Sequence, residues 1–227
     1  ERCVEHAPGA LGYYLAAPSG HPGDVRPFDG PLQQAGIRVP LTADPELWER
    51  AVQLGKQIVW LHTYGERGEP LPGMERLDQR PEGADYTLPY SIQDMGKTMP
   101  EKKPTFSPDP VTGSLSEEQN IPVTGTVSFG RARCENVEKR VFDYTIGGNQ
   151  VLGLWAKYRL KKPVVRRSSP LDEIVQQEWP LAWSEEYERL LCTLTHLVHL
   201  EPAQEKLLDE VLAGEQIFRE EFVDTED

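Results

Sequence analysis

Apolar residues recur at three- and four-residue steps through Leu47, Ala51, Leu54, Ile58 and Leu61, and Trp48, Val52 and Val59 widen the stripe. That spacing is helical. Asp44 stands where an N-cap belongs, and Pro45 follows at the first helical position, where its missing N–H costs nothing. Tyr64-Gly65 marks the far end, where glycine supplies a left-handed cap. The stretches "NIPVTGTVSFG" and "KRVFDYTI" carry alternating β-branched and aromatic residues, and each predicts a half-buried strand. Gly147-Gly148 breaks the second strand. A short helix is expected from about Asn149-Gln150, with Val151, Leu154, Trp155 and Tyr158 on one face. Ser184 caps another predicted helix, whose stripe is Tyr187, Leu190, Leu191, Leu194, Leu197 and Val198. Glu201-Pro202 starts a last one, with Leu207, Leu208, Val211 and Leu212 inward.

Elsewhere the pattern is weak. Residues 1–36 read as irregular, with a short helix near Tyr13, and residues 66–120 as a long Pro/Gly-rich connection. A loop of that length belongs to function or to motion, and Tyr86, Tyr90, Gln93 and Lys97 are its candidates for contact with a partner. The order of elements predicts a mixed α+β fold. It comprises a small antiparallel or mixed sheet, flanking helices, the Pro/Gly-rich loop and an antiparallel C-terminal helical pair with an acidic outer surface.

Composition narrows the class. The chain has 227 residues, 38% of them hydrophobic, with 20 Pro and 19 Gly, which suits a loop-rich globular protein. No apolar run reaches the roughly 18 residues of a membrane span. The first residues lack a basic start followed by an apolar core, so no signal peptide is visible. The chain begins with Glu1, so it is expected to be a processed product or a fragment of a longer protein. Its three cysteines, Cys3, Cys134 and Cys192, are far apart and form no CxxC, which points to a reducing cytoplasm. Net charge is -13, but unevenly spread. From Gly130 to Arg167 ten basic residues face three acidic ones, a local net of +7. From Ser184 to Asp227 three face thirteen, a local net of -10. At about 0.15 M salt, charges more than roughly 8 Å apart are screened, so an acidic protein can still offer a basic patch.

Catalytic patterns are missing. The sequence has no GxxxxGK[ST], GxGxxG, HExxH or GxSxG. His196 and His199, three apart on a helix, have no carboxylate or Cys partner on their face, and packing is the expected role. His62 closes the first helix, where capping or packing is favoured. Cys134 lies among Arg131, Arg133 and Lys139 without a visible redox partner. No cofactor or metal is expected, and the chain is expected not to be an enzyme.

The basic segment has a different chemistry. Gly147 and Gly148 permit a turn that other residues resist. Helix N-terminal amides favour phosphate, and Asn149 and Gln150 carry carboxamides of the kind that pair with adenine. Lys157, Arg159, Lys161, Lys162, Arg166 and Arg167, with Arg131 and Arg133 upstream, are candidates for neutralising a nucleic-acid backbone, with Tyr158 interleaved. Trp155 reads as core. The expectation is a cationic ridge hinged on the paired glycines, with the acidic helices turned away.

Four blocks, "RVPLTADPELWERAVQLGKQIVWLHTYGER", "VFDYTIGGNQVLGLWAKYRLKK", "SSPLDEI" and "EWPLAWSEEYERLLCTLTHLVHLEPAQEKLLD", occur in an order that resembles the C-terminal specificity domain of Type ISP restriction–modification enzymes. The resemblance spans roughly Ile37 to Leu212. It implies a target-recognition domain over residues 37–213, an irregular leader over 1–36 and an acidic tail over 214–227. It further implies recognition of an asymmetric double-stranded DNA site in phage defence. The adenine-N6 methyltransferase and ATP-driven translocase and nuclease parts would lie elsewhere in the same or a partner polypeptide. The competing reading is a protein-interaction module that docks through the leucine-rich, acidic C-terminal helices.

Overall fold

The computed structural model describes residues 9–19, 39–112, 122–161 and 176–217. Contacts divide the chain into two units, one of residues 1–76 with 199–227 and one of residues 77–198.

In the first unit, helix α1 (Ala10–Ser19) carries Tyr13, as the sequence predicts. Helix α2 (Pro45–His62) starts where expected: the Asp44 carboxylate accepts the backbone N–H groups of Glu46 and Leu47. It ends as Gly65 N–H donates to the Trp60 carbonyl at 2.8 Å. Tyr14, Ala17, Trp48, Ala51, Val52, Leu207 and Val211 form its core, where the Tyr14 and Trp48 rings stack at 4.4 Å.

The second unit holds a four-stranded antiparallel sheet. Its strands are β1 (Tyr90–Gln93), β2 (Thr105–Pro108), β3 (Thr124–Phe129) and β4 (Ala132–Glu138), in spatial order β1-β4-β3-β2. In β3 the predicted alternation is present: Gly125, Val127 and Phe129 are buried, whereas Thr124, Thr126 and Ser128 are half-exposed. The sheet packs its buried face around Phe129, whose ring meets Trp155, Trp179 and Tyr187 with centroids 5.6–6.1 Å apart.

The α+β class with a small antiparallel sheet and flanking helices is as the sequence predicts, but four local expectations are corrected. "KRVF" is not a strand but a helical turn, α3 (Lys139–Phe142), closed by an i,i+4 ion pair between Lys139 and Asp143. The strand of that region precedes it, as β4. Asn149-Gln150 does not open a helix. It is strand β6, paired with β5 (Thr145–Ile146), and helix α4 (Val151–Lys157) begins after it. On α4 the buried residues are Leu152, Gly153 and Ala156, while Leu154 and Tyr158 are exposed at 45% and 70%. The expected C-terminal helical pair is one helix, α5 (Leu181–Ala213). It begins a turn before Ser184, whose hydroxyl instead accepts the Trp179 indole N–H at 2.9 Å, and it continues through Pro202 with one backbone hydrogen bond forfeited. Its predicted stripe is in place: Tyr187, Leu190, Leu191, Leu194, Leu197 and Val198 are buried in the second unit. Among the described residues no helix is long and apolar enough to cross a membrane.

Candidate nucleic-acid interface

Gly147 and Gly148 form the two-residue loop of the β5–β6 hairpin, with φ of +55° and +77°. Positive φ at both central positions is the turn whose twist suits paired strands, and glycine adopts it without a Cβ penalty. A Cβ at either position would meet nothing within 4 Å, so the requirement is purely conformational. The tip is exposed from Thr145 to Asn149, with Ile146 opposite Asn149 in register and 56% exposed.

The two carboxamides are used differently. Asn149 is exposed, and its Nδ2 donates locally to the Gly147 carbonyl at 3.2 Å. Gln150 turns inward: its Nε2 donates to the Phe142 carbonyl at 2.7 Å, which ties β6 to the end of α3. Asn149 therefore presents a carboxamide to solvent, and Gln150 holds the hairpin in place.

Among the described residues, several cations of the segment are already paired. Arg159 donates to both carboxylate oxygens of Glu186, at 2.7 and 2.9 Å, and its guanidinium lies 4.1 Å from the Trp155 ring. Glu186 belongs to α5, so at this point an acidic helix faces the basic segment and neutralises Arg159. Lys161 pairs with Glu101 at 3.0 Å, Arg140 with Glu138 at 2.5 Å, and Lys139 with Asp143. Lys161, helped by Lys102, holds the Glu101 carboxyl below its usual range. Arg131, Arg133, Lys157 and Tyr158 are exposed, and the three cations have no carboxylate partner among the described residues. Lys162, Arg166 and Arg167 lie outside the described residues.

The sheet sets two residues named from the sequence, Gln93 and Arg133, beside two that sequence reasoning missed, Ser128 and Thr105. Gln93, Arg133, Ser128 and Thr105 are side by side across all four strands, on the outer face. The Arg133 guanidinium donates to the Ser128 hydroxyl at 3.0 Å. Lys102 and Lys103, both exposed, lead into β2. The "KK" pair before "PTFSP" was the available signal, hidden because a four-residue edge strand has too little length to show alternation.

The remaining candidates are structural. His196 is fully buried, with Nδ1 2.8 Å from the Tyr86 hydroxyl and Nε2 2.9 Å from the Leu77 carbonyl. The carbonyl can only accept, so Nε2 carries the proton and Nδ1 accepts from Tyr86. Burial pushes the Cys134 thiol up to about 11, the reverse of a reactive thiolate. Among the described residues no three His, Cys, Asp or Glu side chains are placed to hold a metal ion.

Comparison with curated proteins and with solved structures returned no match. The Type ISP C-terminal specificity domain does match, over residues 4–190, which is most of the chain. The chain therefore belongs to the family of Type ISP C-terminal specificity domains, the target-recognition part of restriction–modification enzymes.

Proposed function

We propose that this chain is a non-catalytic reader of double-stranded DNA. In this reading it binds an asymmetric sequence and presents it to an adenine-N6 methyltransferase and an ATP-driven translocase and nuclease, carried by the same or a partner polypeptide. It acts in cytoplasmic phage defence. The observation that carries the reading is that one unit combines the exposed carboxamide of Asn149 with cations left unpaired among the described residues. In a chain of net charge -13, one unit holds this exposed carboxamide on a narrow hairpin and leaves Arg131, Arg133 and Lys157 without carboxylate partners among the described residues.

The division of labour follows from the chemistry. Cations fix a protein on the phosphate backbone without reading sequence, whereas a carboxamide at a base edge discriminates. The major groove, about 12 Å wide, admits a two-stranded ribbon, and paired strands are about 4.8 Å apart. The β5–β6 hairpin fits that description. The competing protein-docking reading loses its main surface, because Leu190, Leu191, Leu194 and Leu197 are buried in the second unit and Leu207 in the first.

A gel shift with mixed-sequence duplexes at about 50 mM and 200 mM salt tests the reading. Three phosphate contacts give a log–log salt slope of about -2.7, so the fourfold rise in salt should weaken binding by about 40-fold or more. No shift at either salt would refute DNA recognition by this chain.

A further inference from the structure

The Gly130-Arg131 turn between β3 and β4 sits at one end of the sheet. A Cβ on Gly130 would lie 2.7 Å from the Met95 Sδ and 3.1 Å from the Pro100 Cβ, so the turn is seated directly on the segment that leads into β2. Lys161 joins the same place, its backbone N–H donating to the Pro100 carbonyl at 2.7 Å. Register then brings the outer row Gln93, Arg133, Ser128 and Thr105 next to this end. Lys102 and Lys103 stand a few residues before Thr105, and Arg131 lies at the turn itself.

The acids of this end are already engaged. Glu101 is held by Lys161 at 3.0 Å, and Asp94 accepts the Gly96 N–H at 3.0 Å. Glu178 lies 3.5 Å from Lys97, and Glu135 accepts the Tyr90 hydroxyl at 2.8 Å. Lys102, Lys103, Arg131 and Arg133 have no ion-pair partner among the described residues. Four exposed cations thus lie in or near a row whose other members, Gln93, Ser128 and Thr105, carry amide and hydroxyl side chains.

We propose that this end of the sheet is the phosphate anchor of the DNA site, with Lys102, Lys103, Arg131 and Arg133 neutralising the duplex backbone. The inference rests on the DNA-reader function above and goes beyond it in assigning where the backbone is gripped. Width decides between backbone and base contact. Four strands with three gaps of about 4.8 Å span roughly 14 Å, wider than the roughly 12 Å major groove. The sheet therefore lies against phosphates, and the narrower β5–β6 hairpin is left to reach base edges. Duplex DNA is the occupant that the charge selects.

The test compares the wild-type chain with Lys102→Gln/Lys103→Gln on mixed-sequence duplexes, by fluorescence anisotropy from about 50 to 200 mM salt. Each lost phosphate contact flattens the log–log slope by about 0.9, so the double variant should lose about 1.8 while its sequence preference is kept. The charge-keeping pair Lys102→Arg/Lys103→Arg should retain the wild-type slope. If wild type binds and the Gln variant keeps the full slope, the anchor is elsewhere and the proposal falls while DNA reading stands. If wild type binds no duplex even at about 50 mM salt, both fall together.

Discussion

Arg159 and Glu186 are joined by two hydrogen bonds, at 2.7 and 2.9 Å, and the Trp155 indole N–H donates to the same carboxylate at 2.9 Å. The guanidinium also lies over the Trp155 ring, which itself stacks on Tyr187 at 5.2 Å. One carboxylate thus fastens α4 to α5 and neutralises Arg159, one of the cations expected from the sequence to face DNA. Arg159→Ala should destabilise the second unit by about 2 kcal/mol, the scale of breaking a half-buried charge pair together with a ring contact. Arg159→Lys should recover little of that, because an ammonium cannot reproduce the two-pronged contact. Neither should change the DNA salt slope. Thermal unfolding and salt titration check this together, and a flatter slope at unchanged stability would contradict it.

The paired glycines give a second expectation. A non-glycine residue at positive φ costs about 1–2 kcal/mol, and no steric clash adds to it at Gly147 or Gly148. Gly148→Ala should therefore loosen the hairpin without unfolding the unit. Amide exchange reports it best: the Val151 N–H, held by the Tyr144 carbonyl at 3.0 Å, should exchange faster. Gly148→Asn should be milder, since Asn tolerates the left-handed region.

A buried hydrogen-bond chain, Tyr86 to His196 to Leu77, supports a third. His196→Leu leaves the Tyr86 hydroxyl and the Leu77 carbonyl without their imidazole partner, and should cost about 3 kcal/mol. Tyr86→Phe removes only a donor and should cost about 1 kcal/mol. Chemical denaturation should place the two variants in that order; equal costs would mean that the ring packs without its hydrogen bonds mattering.

Alkaline stability follows from the thiols. Burial raises Cys134 to about 11 and Cys192 to about 12, above the ordinary value near 9. Between about pH 9 and those values the native state holds protons that the unfolded state releases, so stability is complete below about 9 and falls as pH rises through 11 to 12. Cys134→Ala should flatten that decline. In the native protein at pH 8, neither thiol should react with a thiol reagent until denaturant is added.

The elements legible in the sequence are those whose local chemistry agrees with their packing. Helix α2 announced itself through Asp44, Pro45 and a continuous stripe, and β3 through strict alternation. The edge strands were silent, because all four residues of β1 are exposed and β2 has only Phe106 partly covered. "KRVF" carries strand-forming Val and Phe but forms a helical turn, spanned by the Lys139–Asp143 ion pair. Pro202 read as a helix start, whereas packed residues on both sides, Val198 and Gln204, carry α5 through it. At the site, the paired glycines were legible as a turn but two-residue strands were too short to identify. The partner of Arg159 was not legible, since Glu186 lies 27 residues away.

The central claim is sequence-specific DNA recognition, with Asn149 at a base edge. Selection from randomised duplexes, run on wild type and on Asn149→Ala, tests it most directly. The account predicts one enriched asymmetric motif for wild type, and a loss of about 1–3 kcal/mol of discrimination at a single base position in the variant, with an unchanged salt slope. No enriched motif for wild type, or an identical motif and strength in the variant, would contradict it.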